Sequence, residues 1–407
     1  MATPFENKRI ILGITGAVAA YKAADLAAVL SSSGAIVDTV MTKNAARFVT
    51  PLTFQSVTAN RVYTDSDIWG EGRLTPHIEL AHNADLALVA PATANTIAKL
   101  AHGIADNLLT LTLLAVQCPV VIAPVMDSGM YEHPATNENV RILKDRGVTF
   151  LGPTEGRLVS GLAGIGLMVE PDEILPHIRF MLSRMGHMAG KKIMVTAGST
   201  QEPIDPVRSL VGRSAGRFGF SVAQAGLDNG ANVVLISAPT SLPTPFGAKR
   251  ISVRTAQEMY SAVMSEIDGC YALFMAASVS DFRPIHASSQ KIKKLSGLPQ
   301  IDLEPTIDIL AEVAAHQAQT GIPEHMVGFA DETQDVIANA HAKLEAKHCD
   351  MMVVNDVSGT ETSFDSSNIK ATFLYSDGRV EELRLLTKEM VAQNLIHRIE
   401  TWFSEIR

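Results

Sequence analysis

The sequence predicts an α/β protein of two Rossmann-like domains, and three observations carry that expectation. A chain of 407 residues exceeds what one ordinary core organises, so two domains are the starting point. Short β-branched runs alternate with helical periods, the pattern of parallel sheets joined by crossover helices. Two distant stretches also open alike, each a buried strand entering a turn rich in glycine or hydroxyl residues.

In order along the chain, KRIILGITGAVAAYKAADLAAVLSSSGAIVDTVMT reads as a buried strand from Ile10 to Ile14, a glycine turn, a helix, a turn at Gly34 and a second strand. ADLALVAPATANTIAKL reads as a buried strand whose end opens a helix. KKIMVTAGSTQEP is another buried strand, Ile193 to Thr196, entering a Gly/Ser/Thr loop. GFSVAQAGLDNGANVVLISAP is again helix, Asn-Gly turn and strand. MGHMAG reads as a linker, placing the boundary near residues 186–191 and the domains at 1–189 and 190–407.

Bulk properties narrow the function classes. The chain is 46% hydrophobic and 19% charged with net charge −9, and its pI of about 5.7 argues against nucleic acid or an anionic membrane as partner. Cys118, Cys270 and Cys349 stand alone, with no disulfide framework and no CxxC pattern, as expected of a reducing, cytoplasmic compartment. MATPFENK is too polar for a signal peptide, and the apolar region from 84 to 126 is broken by Lys99, Asp106 and prolines, so no membrane span is expected.

In open α/β sheets ligands bind at the carboxyl ends of strands, so the loops there are the candidates. GITGAVAAYKA holds only Gly13 and Gly16. It fits either a tight turn or a phosphate cradle in which Thr15 and the helix N-terminus donate. Thr42 adds a hydroxyl at the next strand end. The run from Pro91 to Thr96 carries three hydrogen-bonding side chains where a helix cap needs one, which favours a ligand. TEGRLVSGLAGIGLMVEP is either a solvated connector or a loop laid over a ligand, with Ser160 at its centre. In the second half, Lys291, Lys293 and Lys294 form a charge run that alone reads as a solvated loop. Lys343 and Lys347 lie four apart, on one face of a helix.

PATANT, VIAPVMDSGMY and TPHIEL resemble the homo-oligomeric flavin-containing cysteine decarboxylases. TAGSTQEPIDPVR, SAGRFGFSVAQAG, SVSDFRP, KIKK, GFADET and NDV extend the resemblance over the whole chain, to the bifunctional phosphopantothenoylcysteine decarboxylase/phosphopantothenate–cysteine ligases of coenzyme A biosynthesis. The resemblance implies a flavodoxin-like FMN domain followed by a nucleotide-binding ligase domain. The substrates it implies are 4′-phosphopantothenate, cysteine and CTP with Mg²⁺, and the product is 4′-phosphopantetheine. FMN would oxidise the cysteinyl thiol to a thioaldehyde that accepts the electrons of decarboxylation; the enethiol is then protonated and reduced.

By the same resemblance, FMN is bound by Thr15, Gly16, Thr42 and the loop Pro91, Ala92, Thr93, Ala94, Asn95 and Thr96. His77 is the implied base, and Met126, Gly161 and Met168 belong to the substrate lid. The nucleotide is implied at Met275, Ala276, Ala277 and Asp281, gripped by Lys291. Thr306, Ile307, Asp308, Ile309, Phe329, Lys343 and Lys347 complete that site. Trimeric decarboxylase domains and dimeric ligase domains, building a dodecamer, are the implied assembly.

Several positions depart from the pattern. Ser160 stands where the family has the cysteine that gives the last proton, and Leu167 where it has arginine. Asp127 replaces an asparagine that contacts the substrate carboxylate; two carboxylates about 4 Å apart repel by roughly 4 kcal/mol at an effective dielectric of 20. Gly212 replaces an asparagine that assists turnover of the acyl-nucleotide, and Arg217 replaces a lysine. Three readings share these residues: a working decarboxylase/ligase, a paralogue using both sites on another carboxylate or cysteinyl substrate, and a non-catalytic flavin-binding regulator.

Overall fold

A computed structural model describes residues 3–69, 75–293, 300–332, 336–356 and 368–405. The chain divides into two compact units, Ala2–Leu182 and Ser183–Arg407.

The first unit is built on strands β1 (Arg9–Ile14), β2 (Ile36–Met41), β3 (Val62–Tyr63), β4 (Leu86–Ala92), β5 (Val120–Pro124) and β6 (Thr149–Phe150). They form one parallel sheet in the order β3-β2-β1-β4-β5-β6. Ile10, Ile11, Leu12 and Ile14 are all fully buried, so β1 is covered on both faces, as a central parallel strand must be. One cover is helix α1 (Ala20–Ser32), which buries Ala20, Ala23, Leu26, Ala27 and Leu30 at three- and four-residue spacing. The others are α2 (Pro51–Thr58), α3 (Pro76–Asn83), α4 (Ala94–His102), α5 (Leu108–Ala115), the short α6 (Ser128–Tyr131), α7 (Pro134–Asp145) and α8 (Pro171–Ser183).

The glycine-dense stretch after β6 is not a featureless loop. It folds as an antiparallel hairpin of β7 (Thr154–Arg157) and β8 (Ala163–Leu167). Gly161 at its tip is left-handed, with φ 86° and open space around it, whereas Gly166 answers to close approach. The Met126 N–H donates to the Gly166 carbonyl at 3.0 Å, and a Cβ at Gly166 would stand 2.1 Å from the Met126 carbonyl oxygen.

The second unit opens with β9 (Lys192–Ala197), the hairpin β10 (Gln201–Pro203) and β11 (Ser209–Val211), and α9 (Arg217–Asp228). Then come β12 (Asn232–Ser237), β13 (Lys249–Ser252), α10 (Ala256–Glu266), β14 (Cys270–Met275), and the pair β15 (Phe282–Pro284) and β16 (Leu303–Pro305). α11 (Ile309–Thr320), β17 (His325–Glu332), α12 (Val336–Ala346) and β18 (Met351–Asp356) follow. The chain closes with β19 (Asn368–Ile369), β20 (Ala371–Tyr375), β21 (Val380–Glu382), β22 (Leu386–Thr387) and α13 (Lys388–Glu405). Eight strands form one sheet, β13-β12-β9-β14-β17-β18-β20-β21. It is parallel from β13 to β18, and β20 and β21 add an antiparallel edge.

Both sheets reverse direction at their first strand. The chain runs outward from β1 to β2 and β3, then returns to β4 on the other side of β1; from β9 it runs to β12 and β13, then returns to β14. The crevices beyond β1/β4 and β9/β14 are therefore the two topological switch points, where α/β sheets take ligands. No helix among the described residues is long and apolar enough to cross a membrane.

Candidate functional sites at the two switch points

At the first switch point Thr15, 1% exposed, ties the two strand ends together. Its hydroxyl donates to the Pro91 carbonyl at 2.8 Å and accepts from the Thr93 N–H at 3.1 Å. Thr93 caps α4, accepting from the Thr96 N–H at 3.4 Å. The N–H groups of Ala94 and Asn95, in the first turn of that helix, have no intrahelical acceptor. Thr42 accepts from the Ala45 N–H at 3.3 Å and closes the turn after β2.

Beside this cradle lies a cavity of about 610 Å³. Its wall brings together Gly16, Thr93, Ala94, Met126, Asp127, Ser160 and Met168 from the expected set. Gly161 lies at the exposed hairpin tip, and Thr15, Thr42, Pro91, Ala92, Asn95 and Thr96 stand behind or beside the wall. His77, on α3, is not part of the wall, and its Nδ1 is buried without a hydrogen-bond partner among the described residues. Sequence reading missed Val18 from the turn before α1, Tyr21 and Lys22 from its start, and Leu158 and Val159 from the hairpin tip. The helical spacing of AYKAAD was the available signal, since it leaves Tyr21 and Lys22 off the buried stripe. Lys22 pairs with Glu170 at 2.5 Å.

Two departures noted separately in the sequence meet here. The Ser160 hydroxyl donates to Asp127 Oδ2 at 2.7 Å, across 33 residues. Asp127 Oδ1 accepts from the Gly129 N–H at 3.1 Å. The Ser160 hydroxyl, then the Gly129 N–H, hold the Asp127 carboxyl below the usual carboxylate range, so it stays ionised and fixes the lid tip to the turn after β5.

The cavity is enclosed by apolar side chains, a hydroxyl-rich turn and a helix N-terminus, and these suit a flat, largely apolar ring carrying a phosphate. The residues fit a flavin mononucleotide.

The second switch point holds less space. Ser199, after β9, and Ser278, after β14, form a parallel bridge just beyond the strand ends. Beside them, a small cavity of about 60 Å³ is lined by Arg217, Phe218, Ala276 and Phe329, the two phenyl rings meeting edge to face with centroids 5.4 Å apart. Sequence reading missed Asn355 and the buried Lys388 in that wall. Met275 ends β14 with its side chain buried, Ala277 donates its N–H to Thr196 Oγ1 at 3.1 Å, and Asp281 is exposed.

The remaining expected residues form local pairs. The Thr306 N–H donates to the Asp281 carbonyl at 3.0 Å. Asp308 caps α11, accepting from the Ala311 N–H at 3.2 Å, and pairs with Lys347. Ile307 is half-buried and Ile309 buried against the core beneath. Lys343 lies on α12 and Lys347 just past its end. Lys291 and Lys293 are exposed on either side of Ile292, whose N–H is accepted by Asp205 at 3.1 Å and whose carbonyl accepts from Arg208 at 2.9 Å. Arg208, first, holds the Asp205 carboxyl far below the ordinary range. Lys294 lies outside the described residues. No cluster of three or more His, Cys, Asp or Glu suited to a metal occurs among the described residues.

Gly212 faces this crevice. A Cβ there would stand 2.7 Å from Ser278 Oγ and 3.3 Å from Ser199 Oγ, so the serines fill the place of a side chain at that position.

The comparisons with known proteins follow the same division. Residues 2–183 match the family model described as Flavoprotein, and residues 188–403 match the DNA/pantothenate metabolism flavoprotein C-terminal domain. The chain is 40% identical over 396 residues to the coenzyme A biosynthesis bifunctional protein CoaBC of Bacillus subtilis, covering 97% of each. To the protein of that name from Vibrio cholerae it is 42% identical over 398 residues, covering 97% of this chain and 98% of the relative. To that of Mycobacterium tuberculosis it is 39% identical over 409 residues, covering 98% and 97%.

Proposed function

This chain belongs to the family of bifunctional phosphopantothenoylcysteine decarboxylase/phosphopantothenate–cysteine ligases, and we propose that its two switch points perform the family's two reactions in turn. It is a lyase and ligase of coenzyme A biosynthesis: CTP-dependent ligation, then FMN-dependent decarboxylation. The substrates proposed are 4′-phosphopantothenate, cysteine and CTP, and the product is 4′-phosphopantetheine. Cytoplasmic location and assembly through trimeric decarboxylase and dimeric ligase domains are part of the same proposal.

In the second unit, a carboxylate oxygen attacks the α-phosphorus of CTP and pyrophosphate leaves. The cysteine nitrogen then attacks the acyl carbon, forming the amide as CMP departs. Lys291 and Lys293 supply positive charge to the phosphates, with Mg²⁺ offsetting the rest. Arg217, beside Phe218 and Phe329, adds a cation at the N-terminus of α9.

In the first unit, FMN supplies the electron sink that a cysteinyl carboxylate lacks. Thr15 sets the relative position of the two strand-end turns, and the N-terminus of α4 would hold the phosphate of the bound group. The lid hairpin, fixed through Gly166 to Met126 and through Ser160 to Asp127, excludes water from the cavity mouth. By the resemblance His77 is the proposed base, although it does not line the cavity of its own chain.

The cavity of about 610 Å³ at the carboxyl ends of β1, β4 and β5 carries this reading. One observation favours a second reading, in which decarboxylation stops at the enethiol. The lid hydroxyl is already donated to a carboxylate and is a far weaker acid than the thiol usual there. Purified protein is expected to carry flavin absorbance and to convert 4′-phosphopantothenate, cysteine, CTP and Mg²⁺ to 4′-phosphopantetheine. Accumulation of an oxidised enethiol supports the second reading, and colourless protein that takes up no FMN overturns both.

A further inference from the structure

We propose that Ser278 is a catalytic residue of the ligase half, its hydroxyl taking the place of the side chain that Gly212 lacks and holding the acyl oxygen while the amide forms. The inference rests on the ligase reading above and deepens it.

Placement is the first support. Ser278 follows β14 and bridges to Ser199, which follows β9, so it sits on the seam between the two strands where the sheet reverses. Its backbone is pinned there from both sides. The Ser278 N–H donates to the Gly198 carbonyl at 2.9 Å, and its carbonyl accepts from the Thr200 N–H at 3.1 Å. A group held this rigidly can be pre-aimed at a reacting atom.

The second support is the hydroxyl itself. The neighbouring Ser199 hydroxyl is fully engaged, donating to the Ser214 carbonyl at 3.0 Å and accepting from the Ser214 N–H at 3.1 Å. The Ser278 hydroxyl, half-buried, makes no hydrogen bond among the described residues. Its oxygen is not sealed from the crevice, so it is free to donate to a ligand there.

The third support is Gly212. Its φ is not left-handed, so conformation alone does not require glycine there. Space does: Ser278 Oγ lies 2.7 Å from where its Cβ would be. The crevice thus holds one polar group at this point, either a side chain from 212 or the hydroxyl from 278. Here it is the hydroxyl.

The step balances without a further reactant. The cysteine amine donates its electron pair to the acyl carbon, and the C–O bond to CMP breaks, carrying its electrons onto the phosphate oxygen. The amine's surplus proton passes to water. Ser278 keeps its proton throughout, donating a hydrogen bond to the acyl oxygen as negative charge develops on it.

The test uses the full-length enzyme with 4′-phosphopantothenate, CTP, Mg²⁺ and cysteine, and reads amide product per pyrophosphate released. In Ser278→Ala that ratio is expected to fall roughly 10- to 100-fold, below the ~10²–10³ loss for a fully enclosed oxyanion donor, as acyl-cytidylate accumulates. Gly212→Asn alone meets the Ser278 hydroxyl and is expected to be impaired. The double variant Gly212→Asn/Ser278→Ala, in which the asparagine has room, is expected to regain turnover relative to Ser278→Ala. An unchanged ratio in Ser278→Ala overturns the proposal, as does a parallel loss of both steps or a double variant no better than Ser278→Ala. Failure of the unmodified enzyme to release pyrophosphate overturns the ligase reading itself, and this proposal with it.

Discussion

The two switch points are built on the same plan and closed in different ways. At β1/β4 a buried side chain, Thr15, spans the gap with two hydrogen bonds, and a hairpin lid helps to enclose about 610 Å³. At β9/β14 the gap is spanned by the backbone bridge of Ser199 and Ser278 and by the Thr196 and Thr200 hydroxyls, which accept from the Ala277 and Ser280 N–H groups, and the cavity beside it is about 60 Å³. The groups expected to grip a nucleotide there, Asp281, Lys291 and Lys293, are exposed. The difference matches what each unit holds. A prosthetic group that stays bound is served by a preformed cavity large enough to hold it, whereas a co-substrate that leaves as CMP and pyrophosphate each cycle is served by exposed cations outside a small cavity.

The largest effect that would sharpen this contrast is expected from Gly166→Ala. The new Cβ meets the Met126 carbonyl oxygen at 2.1 Å and must push the lid off the cavity. A displacement of about 1 Å can cost ~10²-fold in rate, so CO₂ release is expected to fall by that order while pyrophosphate release from CTP holds within about twofold. Equal loss of both would break the independence of the two sites. Next comes Ser160→Cys, which restores a thiol at the lid centre. It is expected to raise the ratio of saturated thiol to enethiol roughly 10- to 100-fold, the lower range of general-acid effects. An unchanged ratio would remove the lid acid from the account.

Thr15→Val is expected to destabilise the first unit by about 1–3 kcal/mol, the cost of losing two hydrogen bonds, to the Pro91 carbonyl and from the half-buried Thr93 N–H, and to lower the flavin that co-purifies. Ser199→Ala is expected to leave flavin content unchanged, which absorbance measurements would check. The smallest effect concerns two buried thiols of the second unit. Burial pushes Cys270 and Cys349 up to about 12. Because the folded value lies above the unfolded one near 8.5, their contribution is complete below about pH 8.5 and is lost as pH rises toward the folded value. Urea unfolding of a Trp69→Phe variant, followed by Trp402 fluorescence, is expected to show stability falling over that window. A Cys270→Ala variant is expected to show a shallower fall, and an equal one would contradict the assignment.

Much of this was legible in the chain. Uninterrupted apolar runs such as Ile10–Ile14 announced strands covered on both faces, and the hydroxyl-rich turns after them lie at the two switch points. What stayed hidden depends on meetings across sequence distance. Nothing local tells that Ser160 touches Asp127, or that Ser278 fills the space above Gly212, 66 residues away. The hairpin of β7 and β8 escaped for another reason. Glycines carry no alternation of burial to read, and here Gly166 is required by the approach of the Met126 backbone. The antiparallel edge β20-β21 lacks such an excuse, since ATFLYSDGRVEE holds two short extended runs about a turn.

The central claim is that both units work on one substrate in succession, and the most direct measurement of it is the ratio of CO₂ to CMP. Supplied with 4′-phosphopantothenate, cysteine, CTP and Mg²⁺, the enzyme is expected to release one CO₂ for each CMP once steady state is reached. CMP formed with no CO₂ would contradict the account, because the covered cavity of the first unit would then serve some other chemistry.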